Sequence, residues 1–482
     1  MGDSLKTATA RGTVWSMAER ISSQLVTFVV IVVMSRILSQ TDYGLVGMLV
    51  IFTDIAQTLV DSGVTQALIR KQDRTPKDCS TAFYFNVCLS LVLYGVMYLC
   101  APLIAEFYNQ EELTRLTRVL SLSFVINAFM MVQQALMTAR LDFKTQTIAS
   151  LTAAVISGGA GIWMAYHGMG VWAIVYYQLL KSGLNCMMLW ILSEWRPVLA
   201  FSFPALKYFF NFGSKLTAAA LMQTIYKDMY LALIGKFYKP AAVGYYTRAH
   251  QFGALPSFNV SAILQRVTYP AMCRVQDDEE RLKDMFGKFL RVITFMVFPM
   301  MAGLAVLATP VTVLLVGEKW AFSGTLLSIL CLSMMWMPID FLNLSLLQVR
   351  GRTDCFLKCE IWKKVIGVTL LVVTLPFGLV VMCWGQLVRA LADFAIDTYY
   401  THKFIGMGVL RQWRMILPSI VYSAVMAVCV WLSVNWIATV WLQVVVGLIC
   451  GVAVFIGLAW TTGSRELREI RSLVNEFKKR GK

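Results

Sequence analysis

The chain has 482 residues, of which 58% are hydrophobic and 15% charged, and its mean hydropathy is +0.65. A soluble domain carries about 25% charged residues, so a water-soluble enzyme is excluded and lipid must be the solvent for much of the chain. The net charge of +16 would suggest nucleic acid in a soluble protein. In a membrane protein it marks cytoplasmic loops, and the aromatic interleaving of a single-strand binder is missing, so no nucleic-acid partner is expected.

Apolar runs near twenty residues recur from end to end. They predict spans at 14–35, 43–62, 79–101, 119–139, 147–166, 170–192 and 212–234. Seven more follow at 243–263, 291–316, 321–348, 359–376, 378–399, 415–434 and 437–460. Backbone groups in lipid must bond internally, so the spans are helices, and the alternation of a β-barrel is absent. The opening "MGDSLKTATARGT" is short and polar and lacks the pattern of a secretory signal. The loops are too small for an extra catalytic domain. The longest, about 264–290, carries the mixed-charge run "VQDDEERLKDMF", read as a solvated connecting helix. The tail from 463 to 482 spaces Leu467, Ile470, Leu473, Val474 and Phe477 as on a basic amphipathic helix that lies on anionic membrane lipids.

Fourteen spans put both termini on one side. Loops on that side hold 29 Lys and Arg against 6 on the other, which makes both termini cytoplasmic. The eleven Cys are scattered through apolar runs and behave as small apolar residues. Cys355 and Cys359 have no partner set for a metal, so neither metal nor cofactor is expected.

The charged stretch "GRTDCFLKCE", Gly351 to Glu360, interrupts two apolar runs, and a paler copy, "ARLDFKTQT", begins at Ala139. Arg140 and Asp142 would then pair with Arg352 and Asp354 at an offset of 212, Pro102 with Pro310 at 208, and Gly44 with Gly244 at 200. Three ordered matches at equivalent points of a six-span period indicate an internal repeat. The predicted fold is an all-α polytopic membrane protein with about 14 transmembrane helices. Residues 1–200 form an N-terminal lobe of six spans and 201–405 a C-terminal lobe of six. The lobes are related by a pseudo-two-fold axis along the membrane normal, with an extra helix pair at 406–462. The four residues Arg140, Asp142, Arg352 and Asp354 are read as cytoplasmic turn or gate residues.

"SRILSQTDYGL" at Ser35, "DSGVTQALIRK" at Asp61, "VGEKW" at Val316 and "GRTD" at Gly351 resemble the polysaccharide transporter family of the Wzx or colanic-acid exporter type. That family belongs to the multidrug/oligosaccharidyl-lipid/polysaccharide exporter superfamily. The likeness covers essentially the whole chain. It implies a multi-pass flippase of the bacterial inner membrane that alternates between inward-open and outward-open states. Its cargo would be an undecaprenyl-pyrophosphate-linked oligosaccharide, a repeat unit of O-antigen, capsule or exopolysaccharide. H⁺ or Na⁺ would be its coupling ion and the polysaccharide polymerase machinery a partner.

Eight basic and eight acidic residues fall inside predicted spans, each costing about 2.5–3.5 kcal/mol at a helix centre. They must therefore face a cavity, pair or snorkel. Lys363, Lys364, Glu360 and Asp397 lie near predicted ends and fit snorkelling, as does Lys215. Lys227 and Asp228 lie deep in span seven, with Gln223 and Thr224 one helical turn earlier. Span one carries Glu19, Arg20 and Gln24, span two a stripe of Asp54, Gln57, Thr58 and Asp61, and span eight Arg248 and Gln251. A pyrophosphate takes Arg and Lys, and sugars take acids and amides. Arg20, Lys227, Arg248 and Lys215, with Gln24, Gln223 and Gln251, are the candidate substrate contacts. Asp228, Asp54, Asp61 and Glu19 are candidate coupling or counter-ion sites. The alternatives are a multidrug or cation antiporter, which needs a dominantly acidic cavity, and a membrane glycosyltransferase or polymerase, which needs acidic residues in large periplasmic loops. A non-enzymatic exporter is the preferred reading.

Overall fold

The computed structural model describes Trp15, residues 22–61 and residues 63–464. All regular structure among them is helical. Helices α1 (Ser22–Ile37), α2 (Gln40–Asp61), α3 (Val64–Arg70) and α4 (Pro76–Tyr108) open the chain. The fourth expected span is covered by α5 (Glu112–Leu120) and α6 (Leu122–Ala139), followed by α7 (Phe143–Tyr166) and α8 (Val171–Leu192). Next come α9 (Phe203–Phe237), α10 (Pro240–Cys273), α11 (Glu279–Val306), α12 (Ala308–Val316), α13 (Ala321–Met334) and α14 (Met337–Val349). The last four are α15 (Thr353–Thr374), α16 (Leu379–Ile405), α17 (Val409–Asn435) and α18 (Val440–Thr461).

Nine helical segments among the described residues are long and apolar enough to cross a membrane by length and composition alone. The expected spans outside that set fall on α1, α8, α9, α10 and α15, so a helix stands at every predicted position. Apolar side chains such as Leu99, Ile449 and Trp460 are exposed, as a lipid-facing surface requires. The protein is a multi-pass membrane protein.

Helix starts follow local chemistry. Thr75 caps α4 in a capping box with Asp78, and Pro76 fills the first position, where a missing N–H costs nothing. Ser202 caps α9 through the Ala205 N–H, and Asp278 caps α11 through the Arg281 N–H. The mixed-charge run expected as a separate connecting helix is thus the start of α11. The gap at 102–118 between the third and fourth predicted spans shrinks as well, because α4 runs through Pro102 to Tyr108. α10 runs through Pro256 and stays continuous to Cys273.

The backbone carries the repeat. α2 and α10 begin 200 residues apart. Asn109 and Gly317 both end helices at positive φ, 53° and 98°, and Gly170 and Gly378 both precede helices at positive φ. The turns after α6 and α14 share one hydrogen-bond pattern, in which Asp142 N–H reaches Met137 O and Arg352 N–H reaches Leu347 O. That pattern pairs Arg140 with Arg350, Leu141 with Gly351 and Asp142 with Arg352. The offset there is 210, which corrects the 212 expected from the Arg-x-Asp likeness.

Two compact units part at Gly244 and Tyr245. The division at 200/201 was expected from the sequence periods; packing groups α9 with the first unit, where it lies along α2. The first unit packs Leu68, Phe83, Val132 and Phe209 into a common core. In the second, Phe298, Trp336, Phe394 and Trp413 pack ring against ring, edge to face or tilted. Beside them Asn343, Thr401 and Gln412 form a buried hydrogen-bonded network. The paired α17 and α18 pack on α11.

Candidate functional site

The polar stripe of α2 meets that of α9 inside the first unit. Lys227 Nζ lies 3.1 Å from Asp54 Oδ2 and 3.4 Å from Asp228 Oδ1. One turn away, Thr58 Oγ1 and Thr224 Oγ1 are 3.1 Å apart. Gln57 donates to Asp61 Oδ1 at 2.9 Å and accepts from Asn127 Nδ2 at 2.9 Å. The three-to-four spacing on each helix brings these groups onto the facing sides. Asn127 was missed from sequence, since a lone amide in an apolar span carries no pattern.

The Lys227 side chain is 65% exposed, while Asp228 is 2% exposed and its Oδ2 makes no hydrogen bond. An ion pair this open is worth about 0.2–1 kcal/mol, so an incoming anion can displace Asp54 from Lys227. The hydroxyls, amides and carboxylates beside it are the groups that bind sugar hydroxyls.

Other expected contacts fall elsewhere. Gln223 and Lys215 are exposed on α9, and Gln24 is half-buried on α1. On that helix Thr27 accepts from Lys181 Nζ at 3.1 Å. Arg20 and Glu19 lie outside the described residues, as does the amphipathic tail from Arg465 on. Arg248 lies in the second unit, 1% exposed, donating to Gln251 Oε1 at 2.9 Å with its guanidinium over the Trp320 ring. Span eight was expected to offer it to phosphate; in this arrangement the packing of Trp320 covers it.

The turn residues differ between the repeats. Asp142 caps α7 by accepting from the Thr145 N–H. Arg352 cannot cap and instead grips Asp354 with two hydrogen bonds of 3.0 Å. That guanidinium holds the Asp354 carboxyl well below the usual carboxylate range.

Snorkelling fails for two residues. Lys363 is 7% and Asp397 0% exposed in their side chains, and they lie 2.7 Å apart. Lys363 also lies 2.6 Å from Asp340. The i,i+4 pair Asp393 and Asp397 on an apolar helix was the signal for this cluster. An apolar groove of about 590 Å³ in the second unit, lined by Phe295, Met426 and Phe455 among others, has no charged lining residue and cannot hold phosphate.

Helices at all fourteen predicted positions, with large apolar side chains left exposed, define a multi-pass membrane protein. The solved structure of the lipid II flippase MurJ in its inward closed conformation superposes on 94% of this chain and 99% of that one. The TM-score is 0.76 and the identity 13%. A family model described as "Polysaccharide biosynthesis protein" matches residues 33–325. The chain belongs to the polysaccharide biosynthesis protein family. It is 26% identical to the lipopolysaccharide biosynthesis protein WzxC of Escherichia coli, over 77% of this chain and 76% of that one. It is 23% identical to the teichuronic acid biosynthesis protein TuaB of Bacillus subtilis, over 86% and 87%. The Wzx-type resemblance read from the motifs therefore holds.

Proposed function

We propose that this protein is a flippase that moves an undecaprenyl-pyrophosphate-linked oligosaccharide from the cytoplasmic to the periplasmic leaflet of the bacterial inner membrane. The observation that carries the reading is the open Lys227–Asp54 pair, set among hydroxyls and amides where α2 packs along α9. It offers a replaceable cation for pyrophosphate and polar neighbours for sugars, and the family and the relatives support it. In this reading Lys227, Gln223 and Lys215 contact cargo. Arg20, Gln24, Arg248 and Gln251 would join them in other states of the cycle. Asp54, Asp61, Asp228 and Glu19 act as counter-ions. H⁺ or Na⁺ supplies the drive, both termini are cytoplasmic, the polymerase receives the product, and no catalysis is performed.

The test is deletion of the gene, followed by analysis of lipid-linked intermediates. Build-up of cytoplasm-facing oligosaccharide lipid, relieved by the wild-type chain and not by Lys227→Ala, is expected. A chain-length defect with normal flipping would favour a polymerase instead. A cation antiporter is the second reading, because Asp54, Asp61 and Asp228 outnumber Lys227 where α2 meets α9. Efflux of a cationic dye, lost in Asp54→Asn, would favour it.

A further inference from the structure

The repeat allows a comparison within one chain. α14, α15 and α16 stand in the register of α6, α7 and α8, as the turn pairs Leu141/Gly351 and Gly170/Gly378 show. In that register Asp340 takes the place of Met130, Lys363 that of Ala153 and Asp397 that of Leu189. Met130 and Leu189 share one apolar cluster, and Ala153 is fully buried. These three helices therefore close with uncharged side chains when the fold alone is to be satisfied. In the second unit the same positions bury an ammonium between two carboxylates.

Such burial is repaid only when every lone pair finds a partner. Here it is not: Asp397 Oδ1 and Asp393 Oδ1 are buried with no hydrogen bond. The groups that face the cluster are Asp340 from α14, Cys359, Glu360, Lys363 and Lys364 from α15, and Arg389, Asp393 and Asp397 from α16. Four carboxylates meet three cations, so with all ionised the cluster carries one net negative charge. The uncompensated charge suits a proton better than a metal ion. A metal would need the space between Asp340 and Asp397, and the Lys363 ammonium already fills it. Half-buried Asp340 and Glu360 lead from the cluster to the surface.

We propose that Asp397, clasped by Lys363 and Asp340, is a proton-binding site of the second unit. The proton adds to a carboxylate oxygen of Asp397, no other bond breaks, and the cluster passes from one net negative charge to neutral. Lys363 is a positioning residue that holds the two carboxyls together. The flippase reading is needed only for the use made of the proton, as the drive for cargo movement; proton binding stands apart from it.

The test uses the full-length protein in lipid nanodiscs and infrared difference spectra between acid and alkaline pH. A protonated-carboxyl band is expected in the wild type and absent from Asp397→Asn. Because that variant can misfold, a second combines Asp340→Met, Lys363→Ala and Asp397→Leu, the residues the first unit uses. It is expected to remain monodisperse and helical and to lack the band. The same band in all three proteins would overturn the proposal. So would a band that responds to sodium replacing choline at constant pH, which would assign a metal cation. In deletion cells the triple variant is expected to leave oligosaccharide lipid facing the cytoplasm. If the wild type also fails to relieve that build-up, the flippase reading falls while the infrared result stands.

Discussion

Gly44 and Gly244 each press against the start of the other's helix. A Cβ on Gly44 would strike the Pro240 carbonyl oxygen, and one on Gly244 would strike the Gln40 carbonyl oxygen. The two glycines occupy the same position, five residues in, of α2 and α10. Both lie within the first compact unit. Gly44→Ala and Gly244→Ala are each expected to cost about 1–3 kcal/mol, as overpacking against backbone does. The double variant should cost less than the sum, because one displacement relieves both clashes. Thermal unfolding of the four proteins in detergent measures this; additive losses would show that the contacts are independent.

Removing the Asp54 carboxylate should free Lys227. Asp54→Asn is expected to raise the rate at which an amine reagent labels Lys227, read by mass spectrometry, and to increase protection of that lysine by added pyrophosphate. Because the pair is largely exposed, stability should change by less than about 1 kcal/mol. Unchanged labelling would mean that Asp54 does not hold the lysine.

The two turns make opposite predictions. Leu141 sits at φ 59° without a glycine's freedom, whereas its counterpart Gly351 sits at 66°. Leu141→Gly should stabilise the protein by about 1 kcal/mol by removing left-handed strain, and Gly351→Leu should destabilise it by a similar amount. Asp142→Ala should cost about 1 kcal/mol through the lost cap. Unfolding temperatures of these variants decide the matter.

The Arg352–Asp354 grip should be indifferent to pH near neutrality. A carboxyl whose folded value is lowered contributes above its unfolded value, and that contribution is lost only as pH falls through the folded one. Proteolysis at the turn after α14 is therefore expected to be constant across the neutral range in the wild type and faster in Arg352→Ala.

The buried amide network offers a stability test in the second unit. Asn343→Leu strips Thr401 Oγ1 and Gln412 Nε2 of a partner. Those two donors keep the Asp397 and Met407 carbonyl oxygens, but Gln412 Oε1 loses its donor, Asn343 Nδ2. An orphaned buried group costs about 1–3 kcal/mol, so the loss should exceed that of Asn435→Leu, where Asn435 is exposed at the end of α17.

Helix positions were legible in the sequence because lipid demands long apolar runs, and the repeat survived in helix starts such as Gln40 and Pro240. The 210 register at the α14 turn was not, because Arg140-x-Asp142 and Arg352-x-Asp354 look alike while playing different parts. Lys227 with Asp228 stood out because both lie far from any span end. Their partner Asp54 was visible only as one of a stripe, since sequence does not say which helices touch. Lys363 and Asp397 were misread for the same reason: their nearness to a span end suggested an escape to the surface, and the neighbouring helix that prevents it is far away in the chain.

Asp54 can be regarded as a tethered competitor. Held at 3.1 Å from Lys227 by two packed helices, it presents a carboxylate at an effective concentration of roughly millimolar or more. A stray monovalent anion must outcompete it for a single contact and gains little. In the proposed flippase reading, a pyrophosphate, with several oxygens and a lipid anchor that keeps it nearby, would meet the same rival on better terms. The Asp54 carboxylate thus sets an affinity threshold that small ions do not cross.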